Sequence, residues 1–201
     1  MKWKDLAGSN SNTFGINISA QCITGANGAV GKVCELGGTE ESMIYFGESA
    51  LPAKYTLCTV SRYAGRRRQR IFSGSSSHEW FHGHANGYKG IAHYDQWMTD
   101  QENNVPENDT DWLIFCGQNS VPWHFFANGR SVGTIHSGAG VNGGIDFGVN
   151  RCLPGRSSCN QSDFAIMEVA IWNRSLSKNE ILEMNTFYAN MLTTSNLGNF
   201  V

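Results

Sequence analysis

Short β-type runs separated by turns recur along most of the chain. YTLCTVSRY (55–63), EWFHGH (79–84) and WHFFANG (123–129) are rich in β-branched and aromatic residues, as strands are. Asn128 and Gly129 supply the two positive-φ positions of a tight hairpin turn. Many short strands with regular turns predict an all-β antiparallel sandwich or barrel.

Two runs, DWLIFC (111–116) and FAIMEVAIW (164–172), are apolar at both strand parities. A strand with apolar side chains on both sides has to be covered on both faces. We therefore expect central strands of a sandwich whose outer surface is partly roofed by loops. No internal repeat or linker interrupts the pattern, so we expect a single domain over 1–201.

The pattern changes to helical spacing near the C-terminus. Ser177 and Glu180 form an S-x-x-E capping box. The apolar residues that follow recur at helical spacing: Ile181, Met184, Phe187, Tyr188 and Met191. We expect one long helix over 177–190, docked at the end of the sandwich, that buries Ile181, Met184 and either Phe187 or Tyr188.

Composition excludes several classes of protein. The formal net charge of −2 on 201 residues indicates neither a nucleic-acid partner nor an acidic surface. No apolar run approaches the roughly 20 residues that span a bilayer, so we expect no membrane insertion. The start lacks a hydrophobic signal core because Lys2, Lys4 and Asp5 interrupt it. We read Met1 as the start of an excised domain from which any signal sequence is lost.

Six cysteines form no CxxC pair, which argues against a zinc ribbon or a thioredoxin-type site. Two pairs bracket short turn-rich or glycine-rich loops, and the third pair lies in apolar stretches that could be neighbouring strands. We predict three disulfides: Cys22–Cys34, Cys58–Cys116 and Cys152–Cys159. The alternative is six buried free thiols in a cytosolic protein.

Glycosylation sequons add weight to secretion. Four Asn-x-Ser/Thr sequences begin at Asn17, Asn108, Asn160 and Asn173. With the disulfides, they favour a glycoprotein located outside the cell or on a particle or cell surface.

Three stretches are similar to motifs of a known family: a closing signature in SDFAIMEVAIWNRSLSKNEILEM (162–184), a hairpin in FFANGRSVGT (125–134) and a common opening in WKDLAG (3–8). Together they resemble the laminin-G-like branch of the concanavalin-A-like jelly rolls. The segment 55–97 is similar to a subgroup with a recurring His-Gly-His. The resemblance implies two antiparallel sheets stacked face to face, with glycan-, protein- or calcium-binding loops at one edge. It implies no single activity, because the fold serves lectins, adhesion modules, hydrolases and lyases.

HEWFHGHANGYKGIAHYD (78–95) holds four of the six histidines. We predict two antiparallel strands joined through 85–87, with His82 and His84 on one face beside His93. Three imidazoles there suggest a zinc site. The alternative is a packed layer of neutral hydrogen-bonding imidazoles among nearby aromatic side chains, namely Trp80, Tyr88, Tyr94 and Trp97. We choose packing.

Catalytic signatures are weak. A glycosidase of this fold needs paired carboxylates, commonly E-x-D-x-E on one strand, whereas Glu168 is the sole acid of its strand. A polysaccharide lyase needs a base and a neutralising group, for which His82, His93 and Tyr94 are candidates. No serine or cysteine nucleophile motif is present. We therefore expect a protein that is not an enzyme.

Two kinds of residue are candidates for ligand binding. Arg66, Arg67, Arg68 and Arg70 follow a turn and could grip the sulfate or carboxylate groups of an acidic glycan, or form a solvated turn that protects a sheet edge. Trp80 and Trp97 could stack on sugar C–H faces, although core packing is the alternative for each.

Calcium is the common ion of the resembled domains, and carboxylate oxygens would hold it. Six aspartates lie near expected loops without a recognised spacing: Asp95, Asp100, Asp109, Asp111, Asp146 and Asp163. Calcium therefore stays a candidate cofactor for which we assign no site.

The sequence favours a non-enzymatic recognition or adhesion module, with a glycan or surface glycoprotein as partner. One alternative is a structural module that packs against neighbouring subunits of a coat, capsid or appendage. A polysaccharide lyase or hydrolase is the other.

Overall fold

The computed structural model describes residues 14–74, 79–103, 105, 110–135, 142–151 and 160–194. Its helix, α1, covers Lys178–Thr193. Its strands are β1 (Phe14–Ile16), β2 (Ser19–Thr24), β3 (Lys32–Gly38), β4 (Met43–Tyr45), β5 (Thr56–Tyr63), β6 (Phe72–Gly74), β7 (Trp80–Ala85), β8 (Tyr88–Tyr94), β9 (Leu113–Gln118), β10 (Phe126–Ala127), β11 (Arg130–Ser131), β12 (Phe147–Val149) and β13 (Phe164–Trp172).

The strands form two antiparallel sheets. A six-stranded sheet has the order β1-β4-β12-β6-β7-β8, and a seven-stranded sheet has the order β11-β10-β9-β5-β13-β3-β2. Neighbouring strands are often distant in sequence, so the chain crosses between the sheets repeatedly. The predicted all-β sandwich of two antiparallel sheets with one C-terminal helix is confirmed.

The main core lies between the two sheets. Side chains of alternating residues point inward from both sheets and are fully or almost fully buried. The largest of them are Tyr55, Tyr63, Phe72, Trp80, Tyr94, Phe115, Phe147 and Phe164.

A second apolar layer lies on the outer face of the seven-stranded sheet, where α1 covers it. Ile181 and Tyr188 of the helix pack with Val60 and Ile114 of the central strands. Asn185 accepts a hydrogen bond from the backbone N–H of Gly129, at 2.9 Å, which ties the helix to the β10–β11 turn. The expectation of cover on both faces is confirmed for the strand containing DWLIFC, whereas the second half of the FAIMEVAIW strand is only partly buried. The expected place of the helix, at the end of the sandwich, is wrong, because the helix itself covers the outer face.

The capping box at the start of α1 is confirmed. Ser177 Oγ accepts from the backbone N–H of Glu180 at 3.3 Å, and Glu180 accepts from the backbone N–H of Ser177 at 2.8 Å. Tyr188 is buried whereas Phe187 is 51% exposed. Tyr188 is seven residues after Ile181 and therefore lies on the same helical face, and Phe187 is rotated away from it.

Two of the predicted disulfides are present. Cys22 pairs with Cys34 across β2 and β3, and Cys58 pairs with Cys116 across β5 and β9. In both pairs the two cysteines lie directly opposite each other in the strand register. The predicted Cys152–Cys159 bond lies outside the described residues.

We predict that mild reduction separates the two bonds. Cys22 and Cys34 are exposed on an edge hairpin, whereas Cys58 and Cys116 are fully buried beneath α1. Thiol–disulfide exchange needs access to a sulfur, so the edge bond should be reduced first. Peptide mapping after brief treatment with reductant and an alkylating agent should label Cys22 and Cys34 well before Cys58 and Cys116. Equal labelling rates would contradict the buried position of the second bond.

Within the described part of the chain, no helix is both long enough and apolar enough to cross a bilayer.

Candidate functional site

The histidine-rich segment forms the β7–β8 hairpin, as predicted. Ala85 pairs with Tyr88, and the two residues between them, Asn86 and Gly87, have φ of 53° and 85°. These left-handed conformations suit Asn and Gly and give a tight two-residue turn. The register shifts once, between Gly83 and His84.

His82 is buried between the two sheets and uses both ring nitrogens. Its Nε2 lies 3.3 Å from the carbonyl oxygen of Phe115, and its Nδ1 lies 2.7 Å from the hydroxyl of Tyr94. A carbonyl can only accept, so Nε2 carries the proton and Nδ1 accepts from Tyr94. The imidazole also stacks parallel to Trp80, with 6.0 Å between ring centroids.

His84 is equally buried but less completely bonded. Its Nδ1 lies 3.5 Å from Ser61 Oγ, its ring meets Tyr63 edge-on at 4.8 Å, and its Nε2 has no hydrogen-bond partner. Burial lowers the pKa of His82 to about 3. Burial, with the nearby charge of Lys89 as a smaller cause, lowers the pKa of His84 to about 3 as well. The structure buries both imidazoles among aromatic rings, as the packing interpretation expects, and their neutral state stays a prediction.

The expected position of His93 beside them is wrong. His93 lies opposite Phe81 in the register, and His82 lies opposite Ala92, so His93 faces away from the core. Its Nδ1 bonds the carbonyl oxygen of Glu79 at 2.7 Å. The three imidazoles therefore do not converge. No three His, Cys, Asp or Glu side chains of the described part of the chain form a group that could hold a metal ion.

The outer face of this hairpin carries a set of stacked rings. His93 stacks on Phe81 with 5.4 Å between centroids, and the Arg70 guanidinium lies over the Phe81 ring at 4.6 Å. Trp97 meets both rings edge-on, at 5.4 Å from Phe81 and 5.1 Å from His93. With Glu79, we call these residues the aromatic–arginine cluster: Arg70, Glu79, Phe81, His93 and Trp97.

Glu79, Arg70 and Trp97 are the members of this cluster that reach the surface. Arg70 Nη2 donates to Glu79 Oε1 at 2.7 Å, and the Glu79 side chain is 60% exposed. The Arg70 side chain is 18% exposed, and its buried Nε has no hydrogen-bond partner. Trp97 is half-buried. The cluster thus brings a guanidinium donor, a carboxylate acceptor and a half-buried indole together near the surface.

The other arginines of the run do not join the cluster. Arg66 is exposed, Arg67 forms an ion pair with Glu40, and Arg68 Nε donates to the carbonyl of Gly65 at 3.4 Å. Asp163 holds the loop, because its carboxylate accepts the backbone N–H groups of Glu40 and Arg67. Arg70 is the residue of this run that reaches the cluster.

The two candidate tryptophans have different environments. Trp80 is 1% exposed, lies in the main core and donates its indole N–H to the Tyr55 hydroxyl at 2.8 Å. Its burial leaves no ring face for a ligand, so core packing is the correct alternative for Trp80. Trp97 lies at the surface of the cluster.

The candidate lyase residues do not form an accessible set. His82 and Tyr94 bond each other inside the core, and His93 lies on the opposite side of the sheet. Glu168 is half-buried, and burial raises the pKa of its carboxyl.

The aspartates considered for calcium lie in separate parts of the structure, with Asp109 outside the described residues. Asp163 bonds the arginine loop, Asp146 accepts from the backbone N–H of Ser49, and Asp95 accepts from Asn142. A calcium site stays a prediction without an assigned position.

Sequence reasoning missed Phe81 and Glu79 as site residues, although one signal was available. Alternation in EWFHGH places these two residues on the face opposite Trp80 and His82. Their proximity to Arg70 depends on the fold of a distant loop.

No family model matches this chain, and no curated protein matches it. Solved structures do. The binding domain of Paraclostridial Mosquitocidal Protein 1 is 15% identical, with a TM-score of 0.57, over 93% of this chain and 50% of that chain. Domain 4 of AbnA, a GH43 extracellular arabinanase from Geobacillus stearothermophilus in complex with arabinotriose, is 13% identical, with a TM-score of 0.57. The match covers 83% of this chain and 81% of that chain.

Botulinum neurotoxin type C, whose cell entry depends on interaction with two ganglioside molecules, is 14% identical, with a TM-score of 0.55, over 91% of this chain and 48% of that chain. A Trypanosoma rangeli sialidase is 10% identical, with a TM-score of 0.51, over 90% of this chain and 30% of that chain. This chain therefore spans about half the length of the two toxin chains. At such identities the likeness shows the β-sandwich fold alone, and the laminin-G-like branch stays a prediction.

Proposed function

We propose that this chain is a non-enzymatic carbohydrate-binding module, displayed outside the cell or on a particle or cell surface, with a glycan or surface glycoprotein as its partner. One observation carries the proposal: half-buried Trp97 and the guanidinium of the Arg70–Glu79 ion pair both contact the ring of Phe81. A sugar presents an apolar C–H face for an aromatic ring, and hydroxyls that need both donors and acceptors.

Contacts within the aromatic–arginine cluster restrict the conformations of its side chains. Phe81 and His93 are buried and both contact Trp97, and His93 is itself bonded to the Glu79 carbonyl. A binding residue whose rotamer is already fixed loses little conformational entropy when a ligand arrives. Phe81 and His93 are thus supports, and Trp97, Arg70 and Glu79 are the proposed ligand contacts.

Similar folds support this proposal by analogy only, because one fold hosts many functions. The similar arabinanase domain was solved with arabinotriose, and the similar neurotoxin interacts with gangliosides. The two disulfides fit an oxidising, extracellular compartment. The burial of His82 and Tyr94 supports a binding role over a lyase.

A glycan array with matched variants tests the proposal. We expect the protein to bind a subset of glycans, and Trp97→Ala to reduce that binding at least about tenfold, the equivalent of about 1.4 kcal/mol. Phe187→Ala is the control, because it removes an exposed aromatic ring from the opposite side of the sandwich. Failure of the wild type to bind any glycan, or full binding by a folded Trp97→Ala variant, would contradict the proposal.

The alternative of a structural packing module has one observation in its favour. Phe187 is exposed in a shallow groove on the outer surface of α1, together with Leu182 and Asn190. Self-association in sedimentation experiments that Phe187→Asp abolished would support this alternative.

A further inference from the structure

A row of residues on the outer side of the six-stranded sheet, most of them buried, connects the aromatic–arginine cluster with a second, similar group. Each residue of the row lies directly opposite the next in the strand register. From β4 through β12, β6 and β7 to β8, the row is Tyr45, Gly148, Ser73, Phe81 and His93.

The second group lies at the Tyr45 end of the row. The Arg151 guanidinium lies over the Tyr45 ring at 4.6 Å, the same distance at which Arg70 lies over Phe81. Arg151 Nη2 donates to Asp146 Oδ2 at 3.3 Å, and the Arg151 side chain is 21% exposed. Arg151 Nη1 is buried and has no hydrogen-bond partner. We call Tyr45, Asp146 and Arg151 the tyrosine–arginine unit.

The two groups share three features. In each, a guanidinium covers an aromatic ring, a carboxylate accepts from that guanidinium, and one buried guanidinium N–H is without a partner. A buried donor without a partner costs about 1–3 kcal/mol. The two groups therefore offer a ligand the same chemistry, which is the partly exposed remainder of a guanidinium as donor and a carboxylate as acceptor.

Strand spacing sets the distance between the two groups. Tyr45 and Phe81 lie three strands apart, which corresponds to about 14 Å at the usual separation of 4.7–4.9 Å. Gly148 and Ser73 between them are buried, and Ser73 Oγ donates to the carbonyl oxygen of Arg151 at 3.3 Å. A single sugar ring is too short to contact both groups, whereas an oligosaccharide chain can span the distance between them above the buried residues.

Charge indicates the class of ligand. Glu79 neutralises Arg70, and Asp146 neutralises Arg151, so neither group carries a net positive charge. An anionic sugar would have to displace a carboxylate from its guanidinium. A hydroxyl, in contrast, can accept from the exposed part of the guanidinium and donate to the carboxylate while both ion pairs stay intact.

We infer that the tyrosine–arginine unit and the aromatic–arginine cluster are two subsites for one uncharged oligosaccharide that lies across the six-stranded sheet. This inference rests on the proposed carbohydrate-binding function and adds the second subsite, the chain length and the charge class. It differs from the sequence-based expectation of an acidic glycan held by the arginine run.

Calorimetry with defined saccharides tests the inference. The probes are neutral arabino-, xylo-, cello- and galacto-oligosaccharide ladders, with heparin-derived and galacturonate oligosaccharides as anionic counterparts. We expect affinity for one neutral ladder to increase at least about tenfold from its shortest to its longest members, because the second subsite is filled intramolecularly. We also expect little change in affinity with salt concentration.

Variants separate this inference from the proposed function. Arg151→Gln should lower affinity for the long chains about tenfold and leave affinity for the short ones unchanged, whereas Trp97→Ala should weaken both. Asp146→Asn, close to isosteric, is the second variant if Arg151→Gln melts below wild type. Wild-type affinity of both folded variants for long chains, or tighter, salt-sensitive binding of anionic chains, would overturn the two-subsite inference while saccharide binding itself stood. Absence of any saccharide binding would overturn both.

Discussion

Replacing Ile181 with Asp should lower the free energy of unfolding by about 4 kcal/mol, because it buries an unpaired carboxylate between α1 and the seven-stranded sheet. Ile181 is fully buried in the layer that contains Val60 and the Cys58–Cys116 disulfide. For a domain of this size, that loss corresponds to a decrease in melting temperature of roughly 10 °C. Urea unfolding followed by circular dichroism measures it.

The helix supplies its own control. Phe187 lies six residues further along α1 and is half-exposed, so Phe187→Asp places the same charge on the same helix in contact with water. We expect this control to change stability by less than about 1 kcal/mol. Similar melting temperatures for Ile181→Asp and wild type would mean that the helix is not docked on the sheet.

Local signals in the sequence were sufficient for much of the fold. The Asn-Gly turns, the capping box at Ser177 and the strand runs apolar at both parities each depend on residues close in the chain. The position of α1 on the outer face of the seven-stranded sheet could not be predicted from its place in the sequence. The apolar composition of β9 and β13 predicts a cover on their outer face, for which we expected loops, whereas α1 provides it.

His93 shows why the candidate site was harder to predict than the fold. A two-residue turn at Asn86-Gly87, continued without interruption, would pair Trp80 with His93 and place His93 on the face of His82. Gly90, with φ of 82°, is instead an extra residue in β8, and beyond it Phe81 pairs with His93. A one-residue shift moves every later side chain to the opposite face. This single bulge brings His93 to Phe81 and so completes the aromatic–arginine cluster.

Acidification from pH 7 to pH 5 should destabilise the protein by about 4 kcal/mol, about 2 kcal/mol for each of His82 and His84. Burial lowers the pKa of both side chains to about 3 in the folded state, whereas an unfolded chain has a histidine pKa near 6.5. Between these two values the unfolded state binds more protons than the folded state. Stability is therefore complete above pH 6.5 and decreases as the pH falls toward 3.

Urea unfolding at pH 7, 6 and 5 measures this dependence above the range in which ordinary carboxylates titrate. His82→Gln keeps a side chain that can donate and accept but cannot become charged, so it should reduce the decrease by about half even if the variant is less stable at pH 7. His124→Gln is the control: His124 is half-buried, and burial lowers its pKa without enclosing the ring, so most of the decrease should persist. A free energy of unfolding that stayed constant from pH 7 to pH 5 would mean that the two imidazoles are hydrated or charged in the folded state. The neutral packed layer beneath the β7–β8 hairpin would then be wrong.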